Sequence, residues 1–199
     1  KYYIKISRIK LCDMKNWTIT KKNIFHKSKN FFSIIGVRVS TGSREVNYWD
    51  QPIIKNKNMA FAGFIVKKIN LTTHYLVRFS LKPGLKFGGL SCTVNTSNVN
   101  DYKKNNNLSF KNKFILKNFF FRKRKYAVKY DTIQSDEGGR FYQSQIRNMV
   151  IQLNDQQKVE IDNNYKWISQ NQMIYLIKKG VLDIEARLLF ACYNLNKII

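Results

Sequence analysis

The 199-residue chain has little that could staple or punctuate a fold: two prolines, nine glycines and three cysteines. Cys12, Cys92 and Cys192 lie far apart with no metal-ligand spacing, which excludes a disulfide framework and a zinc module. A reduced, cytoplasmic setting is the expectation. No apolar run approaches the roughly 20 residues that span a bilayer. The opening "KYYIKISRIK" has neither the apolar block nor the cleavage site of a signal peptide, so no membrane association is expected. The chain opens on Lys1 rather than Met, as a fragment or a processed product would. P-loop, GxGxxG and HExxH patterns are missing. His26 and His74 have no ligand-spaced partner, so both are expected to be structural and no metal site is expected.

Acidic residues are also scarce, and unevenly so. Residues 1–130 hold 28 basic and 4 acidic side chains, whereas residues 131–199 hold 8 of each, so the whole net charge of +24 lies upstream. Lys, Asn and Ile supply 71 residues while Ala supplies 5. The three favoured residues share A/T-rich codons. The charge therefore reads as compositional drift over a surface rather than a groove built for nucleic acid, and no nucleic-acid partner is expected. The exception to weigh is "FFFRKRK": a helix end with favourable cations, or interleaved aromatics and cations able to hold RNA.

A hydrophobic content of 44% with 14% aromatics argues for one folded domain with a proper core. Residues 1–30 form a lead-in anchored by Trp17. "FFSIIGVRVS", "MAFAGFIVKKI", "THYLVRFSLKPG", "LSCTVNTS", "KYAVKYD" and "NMVIQL" read as strands. A helix is expected to about Phe121. Another follows the capping box of Ser169 and Gln172, and a last one is capped by Asp183. The expected class is α+β, a mixed or antiparallel sheet with flanking helices, antiparallel because strand follows strand without crossover helices.

Against this background "DTIQSDEGGRFYQSQIRN" (131–148) stands out. Asp136 and Glu137 beside Gly138 and Gly139 could be general bases or merely a solvated turn. Arg140 and Arg147, on neighbouring strands, could clamp a diphosphate, and Tyr142 would share a face with Arg140. Equally, the whole stretch could be a hairpin with surface charges. In "SREVNYWDQP" (43–52), Trp49 could be a stacking platform or a core residue.

Taken in order, "REVNYWDQP", "PGLKFGGLSCTVNTSNVNDY", "DTIQSDEGGRFYQSQIRNMVIQL", "YKWISQNQMIYLI" and "LDIEARLLFACY" make the chain resemble the NDP-hexose 2,3-dehydratases of deoxysugar biosynthesis, from about residue 9 to 193. That resemblance implies a Nudix-like fold without the Nudix catalytic box, and one repeat, the C-terminal one, of a two-half protein spanning residues 1–199. It implies loss of water across C2 and C3 of a dTDP-linked 4-keto-6-deoxyhexose, with no cofactor. It places Trp49, Ser135, Asp136, Gly138, Gly139, Arg140, Arg147, Asn148, Glu185 and Arg187 around the dTDP-sugar; on chemical grounds Glu137 is the expected base and Tyr142 the expected acid or enolate donor. A homodimer, or pairing with an N-terminal half, is the expected assembly. Two departures shorten polar side chains: Asn95 stands where the family commonly has Gln, and Asp136 where it commonly has Glu. A non-catalytic nucleotide-sugar-binding half and a basic RNA-binding module are the alternatives.

Overall fold

The computed structural model describes residues 4–84, 88–97, 126–154, 156–159, 161 and 163–196. The helix expected up to Phe121 and the "FFFRKRK" cluster lie outside these residues. No described helix is long and apolar enough to cross a membrane.

Two sheets organise the chain. The first is an antiparallel meander, β1 (Trp17–Ile19), β2 (Asn23–His26), β3 (Ser33–Ser40) and β4 (Tyr48–Lys55), in sequential order. The later part of the lead-in thus contributes two strands to a sheet. Trp17 stacks there against His26 and Phe32 at 5.4 and 5.1 Å. The second sheet has seven strands. Its main path runs β11 (Tyr165–Ser169), β6 (Thr72–Ser80), β5 (Ala60–Ile69), β10 (Gln145–Gln152) and β9 (Ala127–Ser135); β7 (Gly89–Ser91) pairs with β6 and β8 (Val94–Thr96) with β5.

The α+β class holds, and antiparallel pairing dominates. One pair departs from it: β10 runs parallel to β5. Strand β5 is apolar at seven consecutive positions, from Ala60 to Val66, and is buried on both faces as a central strand must be. One face packs Ala62, Phe64, Tyr75, Val150 and Leu189; the other packs Phe61, Ile65, Leu76, Met149 and Ile151.

"LSCTVNTS" is read from sequence as one strand, but it splits in two. Strands β5 and β6 pair from Ile65 and Leu76 to their hairpin turn, then diverge. β7 follows β6 and β8 follows β5, with Cys92 and Thr93 in the crotch. A fork leaves backbone groups unpaired. The Thr93 hydroxyl closes it, taking the Ile65 N–H at 3.0 Å and donating to the Leu76 carbonyl.

Helix α1 (Gln170–Lys178) starts at the capping box of Ser169 and Gln172, and α2 (Ile184–Leu195) starts at Asp183, whose carboxylate accepts the Ala186 N–H at 3.0 Å. Both lie on the face of Ala62 and Phe64, where α2 buries Ala186, Leu189, Phe190 and Tyr193. The loop between the helices is stitched to β7: the Leu90 N–H donates to the Val181 carbonyl and the Asp183 N–H to the Leu90 carbonyl. The approach is close enough that a Cβ on Gly89 would sit 2.8 Å from the Val181 oxygen. Only glycine lets α2 dock this near the sheet.

Candidate functional site

Where α2, the fork and the β9–β10 turn converge, the chain leaves a cleft of about 1050 Å³. Its floor is made possible by small residues. Ala60 stands beside Ile146 in the parallel β5–β10 pair, and Ala62 lies between Asn148 on one side and Asn95 on the other. In a chain with only five alanines, Ala60 lines the cleft and buried Ala62 stands between two of its lining residues.

The turn after β9 forms one wall. The Asp136 carboxylate takes the Glu137 N–H at 2.9 Å and the Ser144 hydroxyl at 3.3 Å, while Asn56 donates to that same hydroxyl oxygen at 2.9 Å. Glu137 pairs with Arg140 across 3.3 Å with both side chains more than half exposed. The turn is gripped by the first sheet: the Ile54 N–H donates to the Arg140 carbonyl, the Tyr142 N–H to the Ile54 carbonyl, and Gln51 Nε2 to the Gly139 carbonyl at 3.0 Å. Thus β4, which "WDQP" did not announce as a strand, carries the wall that Ile54 and Asn56 line.

The opposite wall is the start of α2. Lys82 lies 3.0 Å from both Asp183 and Glu185. Burial pushes the Lys82 ammonium down, but its two carboxylate partners outweigh this and hold its pKa above the usual lysine value. Arg187, exposed on the same helix, forms no ion pair with a described residue. Among the cleft's three described cations it is the one not already neutralised by a carboxylate.

Seven of the residues expected from sequence line the cleft: Ser135, Asp136, Glu137, Arg140, Asn148, Glu185 and Arg187. They arrive from the end of β9 and its following turn, from β10 and from the start of α2. The other five do not line it. Arg147 stands beside Phe61 on the far face of the sheet, held by Asp131 through two bonds of 2.7 and 2.6 Å, so it cannot clamp a ligand with Arg140. That pairing raises the Arg147 pKa. Strand alternation decides this, since Asn148 faces the cleft and its neighbour cannot. Tyr142 carries its ring under Lys55 at 5.8 Å, away from the cleft. Trp49 donates from Nε1 to Gln51 at 2.7 Å with Arg44 over its ring, so it reaches the turn through Gln51 rather than by stacking in the cleft. Gly138 and Gly139 have open space where a Cβ would stand.

Sequence reasoning missed Lys82, Asp183 as a cleft residue, Gln134 and Asn56. Lys82 follows a strand without a motif of its own, and pairing between residues a hundred positions apart has no local signal. Gln134, just before the acidic motif, was within reach of the strand alternation that exposes it. Among the described residues no three His, Cys, Asp or Glu side chains gather as a metal site.

The model of the family described as NDP-hexose 2,3-dehydratase matches residues 1–193. Among curated proteins the chain is similar to three named dTDP-4-dehydro-6-deoxy-alpha-D-glucopyranose 2,3-dehydratase. It is 29% identical to one from Saccharopolyspora spinosa, over 96% of this chain and 39% of the relative. It is 28% identical to one from Amycolatopsis orientalis, over 96% and 40%. It is 30% identical to one from Streptomyces violaceoruber, over 85% and 37%. The chain spans about two fifths of the length of the curated relatives it matches.

Proposed function

The chain belongs to the NDP-hexose 2,3-dehydratase family, and we propose that its cleft binds a dTDP-linked 4-keto-6-deoxyhexose and serves the loss of water across C2 and C3. The carrying observation is the cleft itself, which gathers Ser135, Asp136, Glu137, Arg140, Asn148, Glu185 and Arg187 from three separate segments. In this reading Arg187, the unneutralised cation, holds the diphosphate. The C3 hydrogen is acidic because it lies alpha to the C4 ketone. Glu137 removes it, since its ion-pair partner among the described residues is an exposed arginine that a ligand can draw away, and Arg140 then faces the enolate oxygen. Collapse of the enolate expels the C2 hydroxyl. With Tyr142 outside the cleft, the Glu137 carboxyl returns the same proton to that hydroxyl, so water departs and no net proton is consumed. The ketone supplies the activation, so the reaction is read as independent of metal and cofactor. EDTA should leave turnover intact, and loss of activity restored by Mg²⁺ would contradict this.

The scaffold is read as Nudix-like: a mixed sheet with one parallel pair, backed by a helix at its ligand cleft. Assembly as a homodimer, or with a separate N-terminal half, is part of the same proposal. It is supported by exposed apolar residues such as Ile174 and Leu195 on the helices; sedimentation as a stable, fully active monomer would overturn it. The decisive experiment follows loss of one water from dTDP-4-keto-6-deoxyglucose by mass spectrometry. Turnover by this chain that Glu137→Gln abolishes without weakening binding supports the proposal. The second reading, a binding half without catalysis, is favoured by the position of Tyr142 outside the cleft lining and predicts tight binding with no water lost.

A further inference from the structure

The cleft floor carries a polar pair that the proposed chemistry leaves unused. Asn148 is only 4% exposed, yet it lines the cleft from β10. Its Nδ2 donates to Gln134 Oε1 at 2.7 Å, and Gln134 Nε2 donates in turn to Cys192 Sγ on α2 at 3.6 Å. Gln134 thus takes the Asn148 Nδ2 proton on one side and faces the Cys192 sulfur on the other, and in this arrangement the Asn148 amide is turned with its NH₂ toward Gln134. Flipping the Asn148 amide would set its Oδ1 against Gln134 Oε1, two acceptors with no proton between them. Held as it is, Asn148 keeps Oδ1 without a donor from any described residue. An acceptor in that state, on a nearly buried residue that lines the cleft, is a place for a donor brought by the ligand.

We infer that Asn148 Oδ1 accepts a hydrogen bond from a hydroxyl of the sugar, and that Gln134 is the positioning residue that keeps the oxygen, rather than the NH₂, on the ligand side. The inference rests on the nucleotide-sugar reading above. Phosphate oxygens are acceptors and meet no donor at this oxygen, so the floor matches a polyhydroxyl compound and not a phosphate. The cleft consequently sorts its ligand end for end: phosphates toward Arg187 on α2, sugar hydroxyls toward the sheet. No catalytic step is assigned to either amide.

Calorimetry with dTDP and with dTDP-glucose, a stable sugar nucleotide, separates the two claims. In Gln134→Met, close in shape but unable to accept the Asn148 proton, dTDP-glucose should bind about tenfold more weakly relative to dTDP. Gln134→Leu provides a second disruptor should the first fail to fold. Gln134→Glu keeps an acceptor for Asn148 Nδ2 and should restore the ratio, even where its charge weakens both ligands alike. A purely structural role would lower both affinities together and leave the ratio unmoved in every variant, which overturns the inference but not the nucleotide reading. Wild-type protein that binds neither compound overturns that reading, and the inference with it.

Discussion

In the seven-stranded sheet, β5 is buried along seven consecutive residues, and β6 and β10 each bury four positions. In the four-stranded sheet, comparable in strand length at β3 and β4, Ile53 is the one buried residue. Both sheets contain isoleucine, valine and aromatic residues, so composition does not separate them. What differs is the cover. Helices α1 and α2 lie on one face of the larger sheet, whereas the strands of the smaller one alternate between half-buried and exposed positions. Hydrophobic stabilisation scales with apolar area taken from water, so the larger sheet holds the stability and the smaller one holds a wall of the cleft. Their difference is a division between platform and arm.

The sharpest way to break that contrast is to cut the core. Phe64→Ala, at a fully buried position against Tyr75, should lower unfolding stability by about 3–5 kcal/mol. Ile24→Ala, half-buried on β2, should stay within about 1 kcal/mol. Equal losses in urea titrations would mean that the two sheets share one core.

Alkaline pH should act on the larger sheet alone. Burial raises the Cys92 thiol well above its ordinary 9.0 and raises the Tyr75 and Tyr193 phenols, while the carboxylates around Lys82 outweigh its burial and raise it too. A raised folded pKa contributes stability that is complete below the unfolded value and is lost as pH climbs toward the folded one. Stability should therefore hold to about pH 8.5 and then fall, by up to about 1.4 kcal/mol per pH unit for each such group. Cys92→Ala should delay the onset. A profile flat to pH 11 would contradict this account.

Ligand binding should depend on both regions. Arg187→Ala should weaken dTDP binding by about 10–100-fold, the range for a lost charged hydrogen bond. Arg147→Ala should leave binding near wild type, because its side chain is spent on Asp131 across the sheet. The smallest effect is expected at the seam. Gln51→Ala removes the tie between Trp49 and Gly139. It should lower stability by only about 0.5–1.5 kcal/mol, yet speed amide exchange in β3 and β4 with β5 unchanged.

How much of this could be read from sequence follows the same division. The strands of the larger sheet were legible in apolar runs such as "MAFAGFIVKKI", and both described helices in their caps at Ser169 and Asp183. Strand β4 was not, because "YWDQPIIK" carries two polar residues and a proline at its centre and gains its identity only by pairing with β3. Within the site, the acidic-glycine motif was legible as a cluster of unusual residues. The direction of each side chain was not. Arg147 and Asn148 are neighbours with opposite fates, and a one-residue choice of register decides which meets the cleft. The parallel pairing of β5 with β10 fixes that register, and it joins segments more than eighty residues apart.

The grip of β4 on the β9–β10 turn has a mechanical consequence. Ile54, Gln51 and Asn56 fasten the turn at three points, by backbone, carbonyl and hydroxyl. A load applied at Glu137 or Arg140 is therefore transmitted to a lightly built beam rather than absorbed by the core. A label on the outer face of the smaller sheet, at exposed Arg38 or Tyr48, is therefore expected to report occupancy of the cleft that this sheet helps to wall.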